Sequence, residues 1–411
     1  MTNAPDLIPH LFRTESSKLI SVLTHIFGLA NMSVAEDIVS DTFLLASETW
    51  GLKGVPQNPT AWLYTVAKNK VKDQLRRDAL FQQKISPELK RDTIAGELVE
   101  PNLSEESITD SQLRMMFAIC HPAIPEEAQI GLSLRILCGF GISEIADALL
   151  SNKETINKRL FRAKQVLREK SIQLELPDPA EIPLRLETVL KTIYLLFNEG
   201  YYSQSANTTL RKDLCLEAMR LSLQLIESEP TNKPEARALL ALMCFHASRF
   251  EARIGSDNAM ILYYDQDRSR WDEALILRGE QFLSQASEGS QLSTYHLQAA
   301  IAYWHTRSED VLEKWENILQ YYNLLLQLEY SPIAALNRTY ALARARGKEA
   351  AIIEAAKLNL KSNYLYHALM AELYIDIEKE EARKQLGKAL ELVKSEADRQ
   401  LLQKKLNALK P

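Results

Sequence analysis

At 411 residues, with 46 % hydrophobic and 25 % charged residues, the chain is long enough for about three domains and has the make-up of a globular protein. Its 13 glycines are few for such a length, and no strand-like alternation is sustained, so the expected fold class is all-α. The N-terminus lacks a basic start followed by an apolar run, and no uninterrupted apolar stretch reaches the roughly 18 residues of a membrane span. A cytoplasmic protein with no membrane association is expected. Cys120, Cys138, Cys215 and Cys244 stand far apart in apolar helical contexts without CxxC spacing, which favours buried thiols over disulfides or a metal site. His121 beside Cys120 is a weak metal hint that Pro122 and the lack of a second pair discourage.

In chain order, Ser33–Ala46 reads as an amphipathic helix with Ser33 as N-cap and with Glu36 and Asp37 in its early turns, which suits the helix dipole. Asp41 follows on the same helix. After the loop Gly54–Pro59 comes TAWLYTVAKNKVKDQLRRD, a helix opened by Pro59. Its Thr65, Lys68, Asn69, Lys72 and Arg76 share one face, and Leu63, Val66, Ala67 and Val71 lie toward the other. Trp62 and Tyr64 are either core aromatics or stacking faces for unpaired bases. The net charge of −5 hides segregation. Lys68–Lys84 is basic, including Arg76 and Arg77, whereas Glu88–Asp110 is acidic and punctuated by Pro and Ser. That second stretch reads as a linker too polar to fold alone, separating two places where the chain touches DNA.

The second place is Gly141–Lys170. Ile142, Ile145, Ala146 and Leu149 form a narrow apolar stripe on a first short helix. Beyond the Ser151-Asn152 turn, Ile156, Leu160, Ala163 and Leu167 share the inner face of a second helix. Thr155, Lys158, Arg159 and Arg162 share its outer face. This is a helix-turn-helix pattern, whose second helix enters the major groove so that guanidinium forks reach base edges. A solvated basic hairpin is the plainer alternative.

After Leu176-Pro177-Asp178-Pro179, helices resume near Pro183 and continue to the end. Ala335-Leu336 and Ala368-Leu369 are 33 residues apart, and each leads to a second helix carrying Glu349-Ala350 or Glu381-Ala382, a period close to that of helical-pair repeats. The segment DQDRSRWD, Asp265–Asp272, concentrates carboxylates, guanidinium groups and an indole. It reads as Asp–Arg forks fixing two helices more readily than as acid–base or cation chemistry. Asn198-Glu199-Gly200-Tyr201-Tyr202 reads as a helix stop with a glycine cap. No phosphate loop, metal-spaced cluster or nucleophile elbow occurs, so neither an enzyme nor a cofactor or metal is expected.

The acidic helix AEDIVSDTFLLA, the loop ending NPTAWLYTVAKNKVKDQLRR, the acidic linker and the terminal EIADALL…INKRLFRAK together resemble bacterial RNA polymerase sigma factors of the extracytoplasmic-function group. RLETVLKTIYLLFNEGYYS, DLCLEAMRLSLQLI, EARALLALMCFHASRFEAR and YYDQDRSRWDEALI resemble the C-terminal extension of a subgroup with tetratricopeptide-like repeats. The resemblance implies a sigma region 2 domain at 7–84, a linker at 85–110, a region 4 helix-turn-helix domain at 111–172 and a helical extension at 183–411. It implies core RNA polymerase and promoter DNA as partners, with a further protein or ligand partner for the extension. Glu36, Asp37 and Asp41 would then lie on the helix that docks on the polymerase clamp. Lys68, Asn69, Lys72, Arg76 and Arg77 would follow the minus-ten region, with Asn58 near the melted non-template strand. Thr155, Lys158, Arg159 and Arg162 would meet the minus-thirty-five element. The competing expectation is a helix-turn-helix repressor with a protein-binding helical repeat domain.

Overall fold

A computed structural model describes residues 4–85, 101–149, 151–202, 211–255, 261, 263–289, 292–393 and 396–409. Among these residues there are nineteen α-helices and no strand, the expected all-α class. They fall into two compact units: one of Met1–Asn232 with Ile254–Ile261, the other of Lys233–Arg253 with Leu262–Pro411. No helix among the described residues is long and apolar enough to cross a membrane.

The first unit opens with α1 (Ala4–Phe27), α2 (Met32–Lys53) and α3 (Pro59–Ile85), which enclose a core of Leu19, Leu23, Val39, Phe43, Leu63 and Val71. Helix α2 starts one residue before the expected cap: Asn31 holds the N-cap position, and its side-chain amide donates back to the Phe27 carbonyl at 2.9 Å. The displacement follows from the 3-10 turn Leu29–Asn31, where burial of Leu29 and Met32 draws the chain into helix before Ser33 is reached. Of the acidic stretch, residues 86–100 lie outside those described, and Glu105, Glu106 and Asp110 belong to α4 (Glu105–Ile119). Ser104 caps that helix by accepting from the Ser107 amide at 3.3 Å, and the early carboxylates suit its dipole.

Helices α5 (Glu126–Ile136), α6 (Ile142–Ala148) and α7 (Lys153–Glu169) follow, then α8 (Ile182–Tyr202) and α9 (Lys212–Glu227). The last two pack against the preceding helices: α8 lies on α4 and α5, and α9 on α4. Buried Gln224 of α9 donates to Gln112 of α4 at 3.3 Å, and Arg211 pairs with Glu144 of α6 at 3.0 Å. Gly200 is not a cap, because α8 runs on through Tyr202. A Cβ there would stand 2.7 Å from Cys215 Sγ and 2.8 Å from the Arg211 carbonyl, so the glycine permits the close approach of α9. Sequence spacing alone makes the two roles look alike.

The second unit comprises α10 (Pro234–Ala247), α11 (Phe250–Arg253), α12 (Glu273–Ala286), α13 (Thr294–Thr306), α14 (Leu312–Leu328), α15 (Pro332–Arg346), α16 (Lys348–Lys357), α17 (Tyr364–Tyr374), α18 (Lys379–Leu392) and α19 (Glu396–Ala408). Glycine again allows a close pair: a Cβ on Gly279 of α12 would sit 2.7 Å from the Phe245 ring of α10. The segments Ala335–Ala350 and Ala368–Ala382 lie in the successive helix pairs α15/α16 and α17/α18, stacked over Trp315, Ile318, Leu342, Tyr366 and Met370. The DQDRSRWD segment does not form Asp–Arg forks. Asp267 accepts from the Ser269 amide and hydroxyl, Asp272 caps α12 through the Leu275 amide, and Arg268 lies over the Trp271 ring. The Asp267 and Asp272 carboxylates are taken up by local turn geometry, and the Arg268 guanidinium takes the indole face.

All four cysteines are buried thiols that form no disulfide. Burial pushes the Cys120 and Cys244 thiols up to about 12, so they stay protonated at neutral pH and offer no thiolate nucleophile. His121 Nδ1 accepts from the Ala123 amide at 3.0 Å and closes a turn.

Candidate nucleic-acid interface

Helix α3 presents its basic face outward because its apolar residues recur at helical spacing. Leu63, Ala67 and Val71 are fully buried, and Thr65, Asn69, Arg76 and Arg77 on the other sides are at least partly exposed. Lys68 and Lys72 are half-buried along the same face. Asn58 caps α3: its Oδ1 accepts from the Ala61 amide at 3.0 Å. Trp62 and Tyr64 engage the core. Trp62 meets buried Trp50 edge-on at 5.3 Å, and the Tyr64 hydroxyl donates to Glu15 Oε2 at 2.9 Å, which fits packing aromatics better than a base-stacking platform.

Helix α7 has the buried stripe Ile156, Leu160, Ala163 and Leu167. Asn152 caps it, accepting from the Thr155 amide at 2.8 Å. Its outer face carries Thr155, Lys158 and Arg162, all exposed. Lys158 is in an exposed i,i+4 pair with Glu154 at 2.6 Å, an interaction weak enough to yield to a phosphate. Arg159 is different. It is half-buried and pairs with Glu127 of α5 at 2.9 Å, so it also ties the helix to its neighbour. Beside Lys158 and Arg162 stands Phe161, 71 % exposed, a large apolar side chain that helical periodicity does not single out because it falls outside the buried stripe. Its signal in the sequence is an aromatic between cations, and the contact it suits is the methyl group of a thymine.

Glu36, Asp37 and Asp41 of α2 do not form one patch. Asp37 and Asp41 are exposed one turn apart, and Lys70 reaches Asp41 at 3.4 Å. With them on the outer side stand Leu44, which is 59 % exposed, and Leu45, giving a mixed acidic and apolar strip of the kind that docks on another protein. Sequence reading missed both leucines. Glu36 points elsewhere: both its oxygens are 2.7 Å from Lys164 Nζ of α7, in a partly buried pair. The structure therefore joins α2 to α7 across 128 positions of chain.

Residues 11–80, most of α1 with α2 and nearly all of α3, match the family model described as sigma-70 region 2. Residues 185–287, covering most of α8 and all of α9–α12, match a family of unknown function, DUF6596. The chain is 33 % identical over 365 residues to the uncharacterized protein R00370 of Rhizobium meliloti (strain 1021), an overlap of 88 % of this chain and 84 % of that protein. No solved structure matches the chain.

Proposed function

Since the chain belongs to the same family as this rhizobial protein and carries a sigma-70 region 2, we infer that it is an RNA polymerase sigma factor of the extracytoplasmic-function type. The region 2 match on α1–α3 carries this reading, and the exposed basic face of α3 supports it. In this account Lys68, Asn69, Lys72, Arg76 and Arg77 follow the minus-ten DNA. Helices α6 and α7 act as the region 4 helix-turn-helix, with Thr155, Lys158 and Arg162 toward the minus-thirty-five element and Arg159 partly committed to Glu127. Asp37 and Asp41, with Leu44 and Leu45, face the polymerase clamp. Glu36 reaches that surface only once it leaves Lys164. The protein contributes binding and promoter recognition, not catalytic chemistry of its own.

Co-purification with core polymerase followed by run-off transcription tests this reading. Asp37→Arg with Asp41→Arg should lower affinity for core enzyme about tenfold or more, because exposed interfacial carboxylates act through charge complementarity. Unchanged affinity would favour the alternative, a plain repressor with a protein-binding repeat domain.

The C-terminal extension regulates the sigma unit in this proposal. The supporting observation is that its first helices, α8 and α9, pack on α4 and that Arg211 pairs with Glu144 at the foot of α6. A fused segment meets its target at high effective concentration, so modest contacts suffice. Arg211→Ala should change run-off yield severalfold at matched amounts of folded protein. An unchanged yield would leave α8 and α9 as scaffold only.

A further inference from the structure

The second unit holds a cationic–aromatic cluster that promoter binding does not use. Arg268 Nη1 and Lys314 Nζ both donate to one neutral acceptor, the Arg307 carbonyl, at 3.4 and 3.0 Å. Arg268 also lies 5.4 Å from the centre of the Trp271 ring, and Lys314 lies 5.8 Å from that of Trp315. Arg344 covers Trp315 at 5.1 Å. The carboxylate that acts on Lys314 is Asp310, and it is already engaged by Trp315 Nε1 and by Arg344. Among the described residues neither Arg268 nor Lys314 has a carboxylate within ion-pair distance, although Lys314 is only 2 % exposed. Two like charges converging on one carbonyl repel, and burial of one of them sharpens the cost.

Two further polar atoms in the same cluster have no hydrogen-bond partner among the described residues: Trp271 Nε1 and His305 Nδ1. Trp271 is buried, its ring 6.0 Å from that of Tyr263, and the His305 ring meets Tyr263 and Trp315 edge-on. We propose that this cluster, built on Arg268, Lys314 and Trp271, binds an oxyanion, the carboxylate or phosphate group of a small molecule. An oxyanion accepts several donors at once, neutralises the paired cations and takes the unused indole N–H. Arg268 and the neighbouring Arg307–Asp310 segment are exposed, which leaves the cationic edge open to solutes. Burial, reinforced by Arg268 and Arg344 and only partly offset by Asp310, holds the Lys314 pKa below its ordinary value. This inference stands apart from the polymerase reading, since all its residues lie in the second unit.

The test titrates the full-length protein with inorganic phosphate and, separately, with citrate, against sodium chloride at matched ionic strength, following tryptophan fluorescence and thermal unfolding. A saturable response to phosphate, to citrate or to both supports the site and tells which oxyanion it prefers. Arg268→Gln removes an exposed charge and should raise the midpoint roughly tenfold or more, the loss expected for one charge-assisted hydrogen bond. Lys314→Met should abolish the response, and if that variant does not fold, Arg268→Gln decides alone. A response that tracks ionic strength only, or a titration of Arg268→Gln identical to wild type, overturns the proposal.

Discussion

Leu160→Ala should destabilise the packing of α7 on α5 by about 2–5 kcal/mol, the range for emptying a buried leucine site. Leu160 is buried, and its Cδ2 lies 3.1 Å from where a Cβ on Gly131 would stand, so the leucine fills space that a glycine of α5 leaves open. With no side chain on Gly131 to move inward, the cavity has little means of closing. Arg162→Ala should do the reverse, leaving unfolding unchanged but weakening duplex binding about tenfold. The slope of log affinity against log salt should become shallower by about 0.9 for each phosphate that the variant no longer neutralises. Urea melts and DNA titrations of the full-length protein at two salt concentrations check both arms. Arg162 is the cleaner probe than Arg159, whose pair with Glu127 makes its removal a structural change as well. Wild-type DNA binding by Arg162→Ala would exclude this face of α7 from the interface.

Acidification from about pH 7 to about pH 5 should remove about 2 kcal/mol of stability from the second unit through His305 alone. Burial, with Arg249 and Lys314 nearby, pushes the His305 pKa down to about 3. An unfolded histidine titrates near about 6.5. Between those values the unfolded chain takes up a proton that the folded chain refuses, so the stabilising contribution is present above the unfolded pKa and is lost as pH falls. Burial likewise holds His246 well below its ordinary value, helped by Arg249 and Arg253, and it acts in the same direction. Denaturant melts at the two pH values measure the loss. In His305→Asn the acid loss should shrink by its share, and an identical slope in wild type and variant would reject the assignment.

Whatever depends on spacing along a helix is legible in the order of residues. The buried stripe Ile156–Leu160–Ala163–Leu167, the buried Leu63, Ala67 and Val71 opposite the basic face of α3, and the all-α class all follow from it, because 3.6 residues per turn is a local rule. The family resemblance over the first three helices is legible for a similar reason, as contiguous motifs. Which side chains meet across long stretches of chain is a different matter, and only the folded molecule answers it. Glu36 looks equivalent to Asp37 and Asp41 until α7 brings Lys164 to it, Arg159 looks free until α5 supplies Glu127, and Gly200 looks like a helix stop until α9 comes to rest on it. In DQDRSRWD the expected Asp–Arg partners are not the partners in space, since Asp267 takes Ser269 while Arg268 takes the Trp271 ring and a carbonyl 39 positions away. Such pairings follow from how helices of given length and shape fill a common core, and the order of residues within any one helix carries little of that information.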